Sequence, residues 1–284
     1  MGISVGDRLV IQAEIFPFGL LGLGIGAALA IAPAQAQITP AQDRINTRVQ
    51  TSGAEIVITG GQASQGGENL FHSFHQFNID AGETANFVTP SGTAAVLGRI
   101  GGGDPSLIDG TIQLTGSSAD LFLLNPAGVV FGQNAALDVP GGFGISTATR
   151  FGLGATSLGQ SQWFGVGSGA EVRGLTGGLS ALRFDGTAGA IANFGSLSVV
   201  PGANLWLVGG SVLNRGSLTA PGGAIAIASV DGNQVLQLGQ PGSVLQFELG
   251  PLGNGQPVLG GAIAPLSLPE LLTGREQLQP ANQS

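Results

Sequence analysis

His72 and His75 stand three apart in NLFHSFHQF, and His-x-x-His is a spacing that binds zinc when both rings reach one side. On a strand, residues three apart face opposite ways, so this pair does not close on one ion. The chain has no Cys to supply a thiolate. No metal is therefore expected, and the rings read as packing beside Phe71, Phe74 and Phe77. The densest acids are Asp104, Asp109, Asp120 and Asp138. Grouped on one sheet face, such carboxylates would serve a polysaccharide lyase or hydrolase, with calcium or as an acid/base pair. Asp109-Gly110 reads as a turn, however, and Asp104-Pro105 as a loop, which scatters the set. No Gly-x-Ser-x-Gly elbow occurs among the serines. Trp163 and Trp206 read as core or cap rather than as a sugar platform. The expectation is a chain that is not an enzyme and carries no cofactor. An extracellular polysaccharide lyase or hydrolase is the alternative reading.

Composition constrains what holds these residues. Of 284 residues, 51 are Gly, only 9% are charged and 43% are hydrophobic. Disorder needs the reverse balance. The glycines show no triplet period, which excludes collagen. All nine basic residues are Arg, and the net charge is −8. No basic stripe exists to meet phosphate, so nucleic acid is excluded as a partner on electrostatic grounds. The absence of Cys also rules out a disulfide scaffold.

The elements read as short strands. Ile56-Val57-Ile58 runs into Thr59-Gly60-Gly61, and Ile112-Gln113-Leu114 into Thr115-Gly116. Gly, Asn, Asp and Pro punctuate every few residues, the pattern of an all-β chain. Only Pro269–Leu278 has a weak helical period. Repeats go further. Asn193, Gly195, Ser196 and Leu197 return as Asn214, Gly216, Ser217 and Leu218, an offset of 21. Leu205-Trp206-Leu207 returns as Ile225-Ala226-Ile227 at 20, and Leu121-Phe122-Leu123 matches Leu205-Trp206-Leu207 at 84, or four times 21. AALDVPGG at 135–142 resembles SLTAPGG. A coil of about 20–21 residues is too short for helix-pair repeats and half a propeller blade. The reading is a parallel β-helix in which equivalent residues stack about 4.8 Å apart. Asn193 and Asn214 would sit at turns, where Asn tolerates the left-handed conformation and bonds its own backbone.

The stretch LFLLNPAGVVFG, residues 121–132, adds a second layer. Asn125-Pro126-Ala127-Gly128 fits a type I turn: Asn bonds forward, Pro presets φ, and Gly suits the fourth place. In LFLL both strand faces are apolar. One face can line the coil; the other needs cover from an added hairpin or an N-terminal cap. A cap is also expected because an open coil end exposes core and backbone.

The first 36 residues read as a signal peptide. Arg8 precedes an uncharged apolar run at 16–32, and Ala34-Gln35-Ala36 supplies an Ala-x-Ala cleavage pattern, with the cut before Gln37. No later apolar run is long enough to span a bilayer, so no stable membrane span is expected after signal removal.

Two stretches resemble the N-terminal secretion domain of filamentous-haemagglutinin-like exoproteins, the cargo of two-partner secretion. One is Asn69-Leu70-Phe71-His72-Ser73-Phe74, continuing to Phe77-Asn78-Ile79 and Ala85-Asn86-Phe87. The other runs from Ile108-Asp109-Gly110 to Leu121-Phe122-Leu123-Leu124-Asn125-Pro126-Ala127-Gly128-Val129-Val130-Phe131-Gly132. The second is similar to the family's Asn-Pro-Asn-Gly-Ile block, with Ala127 in place of the second Asn and Val129 in place of Ile. The resemblance implies a right-handed parallel β-helix with an N-terminal cap and extra-helical β-hairpins, its coils of the length read from the repeats. It places a signal peptide at 1–36, the secretion domain at 37–155, further coils at 156–250 and a linker-like tail at 251–284. Members of the family usually continue further, into repeats or an effector domain. The partner it implies is an outer-membrane β-barrel translocator with periplasmic POTRA domains. The product would lie outside, or on the surface of, a Gram-negative-type bacterium, with host or surface glycans as adhesive partners. Asn69 to Phe74 and Asn125 to Gly128 would then be the recognition or secretion motifs.

Overall fold

A computed structural model describes residues 38–154, 162–166, 171–238 and 247–251. The expected signal peptide with its cut before Gln37, and the helical stretch at 269–278, lie outside them.

Two strands come first, β1 (Ile38–Pro40) and β2 (Thr47–Ser52). The coil begins with β3 (Glu55–Gly60), the short β4 (Gln62–Ala63) and β5 (Asn69–Phe77). A second turn holds β6 (Thr84–Val88), β7 (Ala95–Ile100) and β8 (Ser106–Ile108), and a third holds β9 (Thr111–Thr115), β10 (Asp120–Leu124) and β11 (Val129–Phe131). The fourth starts as β12 (Ala136–Asp138) and β13 (Phe143–Ser146). There the path leaves the coil through β14 (Arg150–Leu153), β15 (Gln162–Gly165), one 3-10 turn (Val172–Gly174) and β16 (Leu179–Phe184). It returns at β17 (Ala190–Asn193) and continues as β18 (Ser196–Ser198), β19 (Leu205–Gly209) and β20 (Ser211–Asn214). A sixth turn adds β21 (Ser217–Thr219) and β22 (Ile225–Ser229), and β23 (Gln234–Leu238) and β24 (Phe247–Pro251) follow.

Successive turns stack into three parallel sheets. The first runs β5-β7-β10-β13-β19-β22, the second β3-β6-β9-β12-β18-β21 and the third β8-β11-β17-β20. This is the expected all-β parallel β-helix. The repeats fall into register as read: Asn193 on Asn214, Ser196 on Ser217, Leu205 on Ile225. That short, even spacing holds only for the later turns. Leu121 stacks on Phe143, Asn69 on Ala95 and Glu55 on Thr84, and these steps lengthen toward the N-terminus because the earlier turns carry longer corners. Leu121 and Leu205 do share a column through Phe143, but two turns apart rather than four. Strands β14 to β16 are spliced between Phe143 and Leu205, so one step of the column spans the whole outer excursion.

Inward residues build one core. Leu70, Val96, Leu121, Phe143 and Leu205 form one column of it, and all are at most 4% exposed. Asn193 also points inward and is fully buried. It is not left-handed; among described non-Gly residues only Asn46 and Asn233 have positive φ. Its Oδ1 accepts the Gly195 N–H at 3.1 Å and its Nδ2 donates to Asn214 Oδ1 at 2.8 Å, so the asparagines form a ladder. The corner beside them explains part of the glycine content. A Cβ on Gly195 would sit 2.6 Å from the Gly132 carbonyl oxygen, and one on Gly216 would collide with Gly195.

A second core lies outside the first sheet. The antiparallel outer sheet β15-β14-β16-β23-β24 covers it. Phe71, Leu97, Phe122, Leu124 and Val208 from the coil pack against Phe151, Phe164, Leu182 and Leu236 from that sheet. LFLL is thus divided as its pattern demands: Leu121 and Leu123 line the coil, while Phe122 and Leu124 meet the outer sheet. At the other end, β1 pairs antiparallel with β5, and β2 with β3, closing the first turn's edges.

Candidate functional site

The first motif is the front half of β5, and every residue of it is buried. Asn69 holds the outer layer. Its Nδ2 donates to the carbonyls of Leu175 at 3.2 Å and Gly177 at 2.9 Å, far onward in the chain. Leu70 and Phe74 enter the coil. Phe71 turns outward and meets Phe164 edge-on, centroids 4.8 Å apart. Ser73 Oγ accepts the Arg99 Nε–H at 3.0 Å, and its N–H donates to Thr47 Oγ1 at 2.9 Å.

His72 is inside, at 0% exposure, while His75 is exposed, as their spacing required. The His72 ring lies 5.6 Å from Phe87 and 6.1 Å from Phe74. Neither of its ring nitrogens has a hydrogen-bond partner among the described residues. Burial without a partner pushes its pKa down to about 4, so the ring is neutral near pH 7.

The second motif closes the turn after β10. Gly128 N–H donates to the Asn125 carbonyl at 3.1 Å, and Ala127 N–H to Asn125 Oδ1 at 3.0 Å. Asn125 Nδ2 donates to the Asp104 carbonyl and to Ser106 Oγ, both at 3.0 Å, tying the turn to the coil below. Asn125 is 1% exposed, whereas Pro126 and Ala127 are half-buried. Gly128 has φ +123°, and a Cβ there would meet the Ala190 carbonyl oxygen at 3.0 Å. The two motifs share the first sheet but not a pocket. Asn69 aligns with Ala95 and Asp120 at one end of the strands, and Leu124, just before Asn125, aligns with Arg99 and Ser73 at the other.

The family model of the TPS secretion domain matches residues 36–254. The chain belongs to this family. Among solved structures, this TPS domain is similar to the HMW1 secretion domain from Haemophilus influenzae, at 20% identity and a TM-score of 0.49, over 75% of this chain and 47% of that one. The chain thus spans about half the length of that relative. It is also similar to a filamentous hemagglutinin secretion domain, at 14% identity and a TM-score of 0.34, over 68% of this chain and 99% of that one. No curated protein matches it.

Three of the four acids singled out in the sequence hold structural hydrogen bonds in the TPS domain. Asp109 accepts the Asn134 N–H and Nδ2–H, each at 3.0 Å, and these bonds hold its carboxyl below the usual range. Asp120 Oδ1 accepts the Gly142 N–H at 2.6 Å, and Asp138 Oδ2 accepts Gln113 Nε2–H at 2.6 Å. Among the described residues no three His, Asp or Glu gather as metal ligands. Trp206 lies in the outer core beside Phe122, centroids 5.4 Å apart. No helix among the described residues is long and apolar enough to cross a membrane.

Sequence reasoning missed Arg99. Its side chain is 7% exposed and pairs with Asp43 at 2.9 Å. It also bonds Ser73 Oγ and the Gly165 carbonyl, and its guanidinium lies 4.7 Å from the Phe164 ring centroid. One cation thus joins the N-terminal cap, the first two turns and the outer sheet. Its only sequence signal is a charge placed inside Ala-Val-Leu-Gly-Arg-Ile, an otherwise uncharged strand.

Proposed function

We propose that this chain is the secretion domain of a two-partner secretion exoprotein, recognised while unfolded by an outer-membrane β-barrel translocator with POTRA domains. Family membership supports the cargo role. The observation that carries the unfolded state is burial: Asn69 through Phe74 and Asn125 are all at most 4% exposed once the coil has formed. A partner reading these side chains meets them before folding. In that state β5 and β10 are extended apolar segments, and the edge of a POTRA sheet accepts such a strand by β-augmentation. The chain then threads outward and coils on the far side. Folding releases about 5–15 kcal/mol for a domain, enough to oppose retreat without a nucleotide. The first 36 residues act as signal peptide for the inner-membrane step.

The test compares folded and unfolded cargo on immobilised POTRA domains. Urea-unfolded chain, diluted into native buffer over the resin, is expected to be retained at micromolar concentration, and pre-folded chain is not. Equal retention of both, or of neither, overturns the reading.

A further inference from the structure

Among the described residues, the sixth turn leaves the coil's interior uncovered. Ile225 and Ile227 continue the inward columns of Leu205 and Leu207, which are at 0% exposure, yet they are 44% and 50% exposed. Val212 and Leu218 continue the columns of the fully buried Ile191 and Leu197 and are only half-buried. The same end presents an open backbone edge. Phe143 N–H donates forward to the Asn204 carbonyl and Leu205 N–H to the Ala224 carbonyl, both at 2.9 Å. Inward residues of the first sheet therefore direct N–H and C=O to the following turn. In that phase Ile225 and Ile227 direct theirs off the end, as a parallel edge open to another strand.

The chain carries a matching segment. Gly222-Gly223-Ala224-Ile225-Ala226 recurs as Gly260-Gly261-Ala262-Ile263-Ala264, and Ser229 recurs as Ser267, all at one offset. That offset has a structural meaning. It equals one turn, the step from Leu205 to Ile225, plus the outer pair β23 and β24, from Gln234 to Pro251. An outer-sheet insertion has already lengthened one turn in this way, between Phe143 and Leu205.

We propose that residues 262–266 dock on this open end as one more strand of the first sheet, Ile263 over Ile225 and Pro265 over Ile227. Ile263 then covers the exposed column. The Ala264 N–H reaches the Ile225 carbonyl, and the Leu266 N–H reaches that of Ile227. Pro265 takes the phase whose N–H points away from β22, so its missing donor removes no bond to the coil. The outer edge it leaves is one donor short, which discourages pairing with other chains.

The full chain supports a direct test because it has no cysteine of its own. Neighbouring parallel strands bring Cα atoms within disulfide range. The double variant Ile225→Cys with Ile263→Cys is expected to cross-link under mild oxidation, at least tenfold more than Ile225→Cys with Ser267→Cys. Amide exchange gives a readout free of new side chains: Ile225 and Ile227 amides should be slowed at least a hundredfold relative to unstructured chain. Ala264→Pro should abolish that protection, and Pro265→Ala should keep it. Free exchange at Ile225 and Ile227 in the unaltered chain, equal cross-linking of the two cysteine pairs, or equal effects of the two proline exchanges would each overturn the docking.

Discussion

A single buried ring makes the first turn sensitive to acid. His72 is neutral in the folded state with its pKa near 4, and about 6.5 when the chain is unfolded. The unfolded chain therefore binds a proton that the folded chain refuses. Stability is fully present above pH 6.5 and falls as the pH drops through the window from 6.5 to about 4, by roughly 3 kcal/mol in all. Urea midpoints at pH 7 and pH 4.5 should show this loss, and His72→Leu should flatten it within that window. Burial raises the Asp43 and Asp185 carboxyls, but hydrogen bonds from Ser73 and Arg99 to the one, and from Arg183 and Thr149 to the other, hold both below the usual carboxylate range, so they lose their contribution only at lower pH. Asn125 makes the complementary case. Its side chain fills three hydrogen bonds in a buried site, so Asn125→Ala should cost about 2–3 kcal/mol. Pro126→Ala, at a half-buried turn position, should cost less than about 1 kcal/mol, since it changes chiefly the freedom of the unfolded chain. Gly128→Ala should resemble Asn125→Ala, because φ +123° and the Ala190 carbonyl both oppose a Cβ. Chemical denaturation of the three variants checks the order. The turn kept its Asn and Gly where Ala127 and Val129 depart from the family block, which fits the bonds: Ala127 contributes only its backbone N–H.

Between elements, Arg99 is the joint. Arg99→Met leaves the Asp43 carboxylate without its cation and should cost about 3 kcal/mol or more; Arg99→Lys restores charge but not the fork that reaches Asp43, Ser73 and Gly165 together, and should recover only part. Hydrogen exchange should localise the damage to 38–46 and to β15 rather than to the late turns. This joint also marks the limit of what the sequence discloses. The coil was legible because a stacked turn repeats its own pattern: Asn193-x-Gly195-Ser196-Leu197 on Asn214-x-Gly216-Ser217-Leu218 gives register directly. The need for a second layer was legible in LFLL, whose two apolar faces had to meet two different cores. The identity of that layer was not, because antiparallel outer strands do not repeat and the pairing of Phe71 with Phe164 joins segments that share no pattern. The longer early turns hid for the same reason, since their extra residues lie in corners that no ladder constrains. A lone Arg in an apolar strand gives its position away but not its partners.

Across the described residues of the whole molecule, most stabilising pairs are distant in sequence. Neighbouring strands of the first sheet are at least a full turn apart along the chain, and β13 and β19 are separated by the whole outer excursion as well. The Asn69 contacts to Leu175 and Gly177 close loops longer still. Closing such loops is entropically costly before any contact repays it, and folding is correspondingly slow. On the proposed route the chain stays threadable until it has crossed a pore, and slow folding, which this topology favours, serves that end. Refolding from urea, followed by the fluorescence of Trp163 and Trp206, should therefore proceed in milliseconds to seconds or slower, well outside the microsecond range of helical domains of similar stability. The outer layer should join last, since β14 to β16 need the first sheet already formed to cover its outward residues. Asn69→Ala, which removes two of the bonds between that layer and the first turn, is then expected to leave the refolding rate within about twofold while raising the unfolding rate, the signature of a contact made after the transition state. A Leu121→Ala change in the inner column should do the opposite and slow refolding, because that column must stack before the outer sheet has a surface to meet. If Asn69→Ala slowed refolding as strongly as Leu121→Ala, the layers would be forming together, and a partly threaded chain would have no stretch of coil that can fold ahead of the rest.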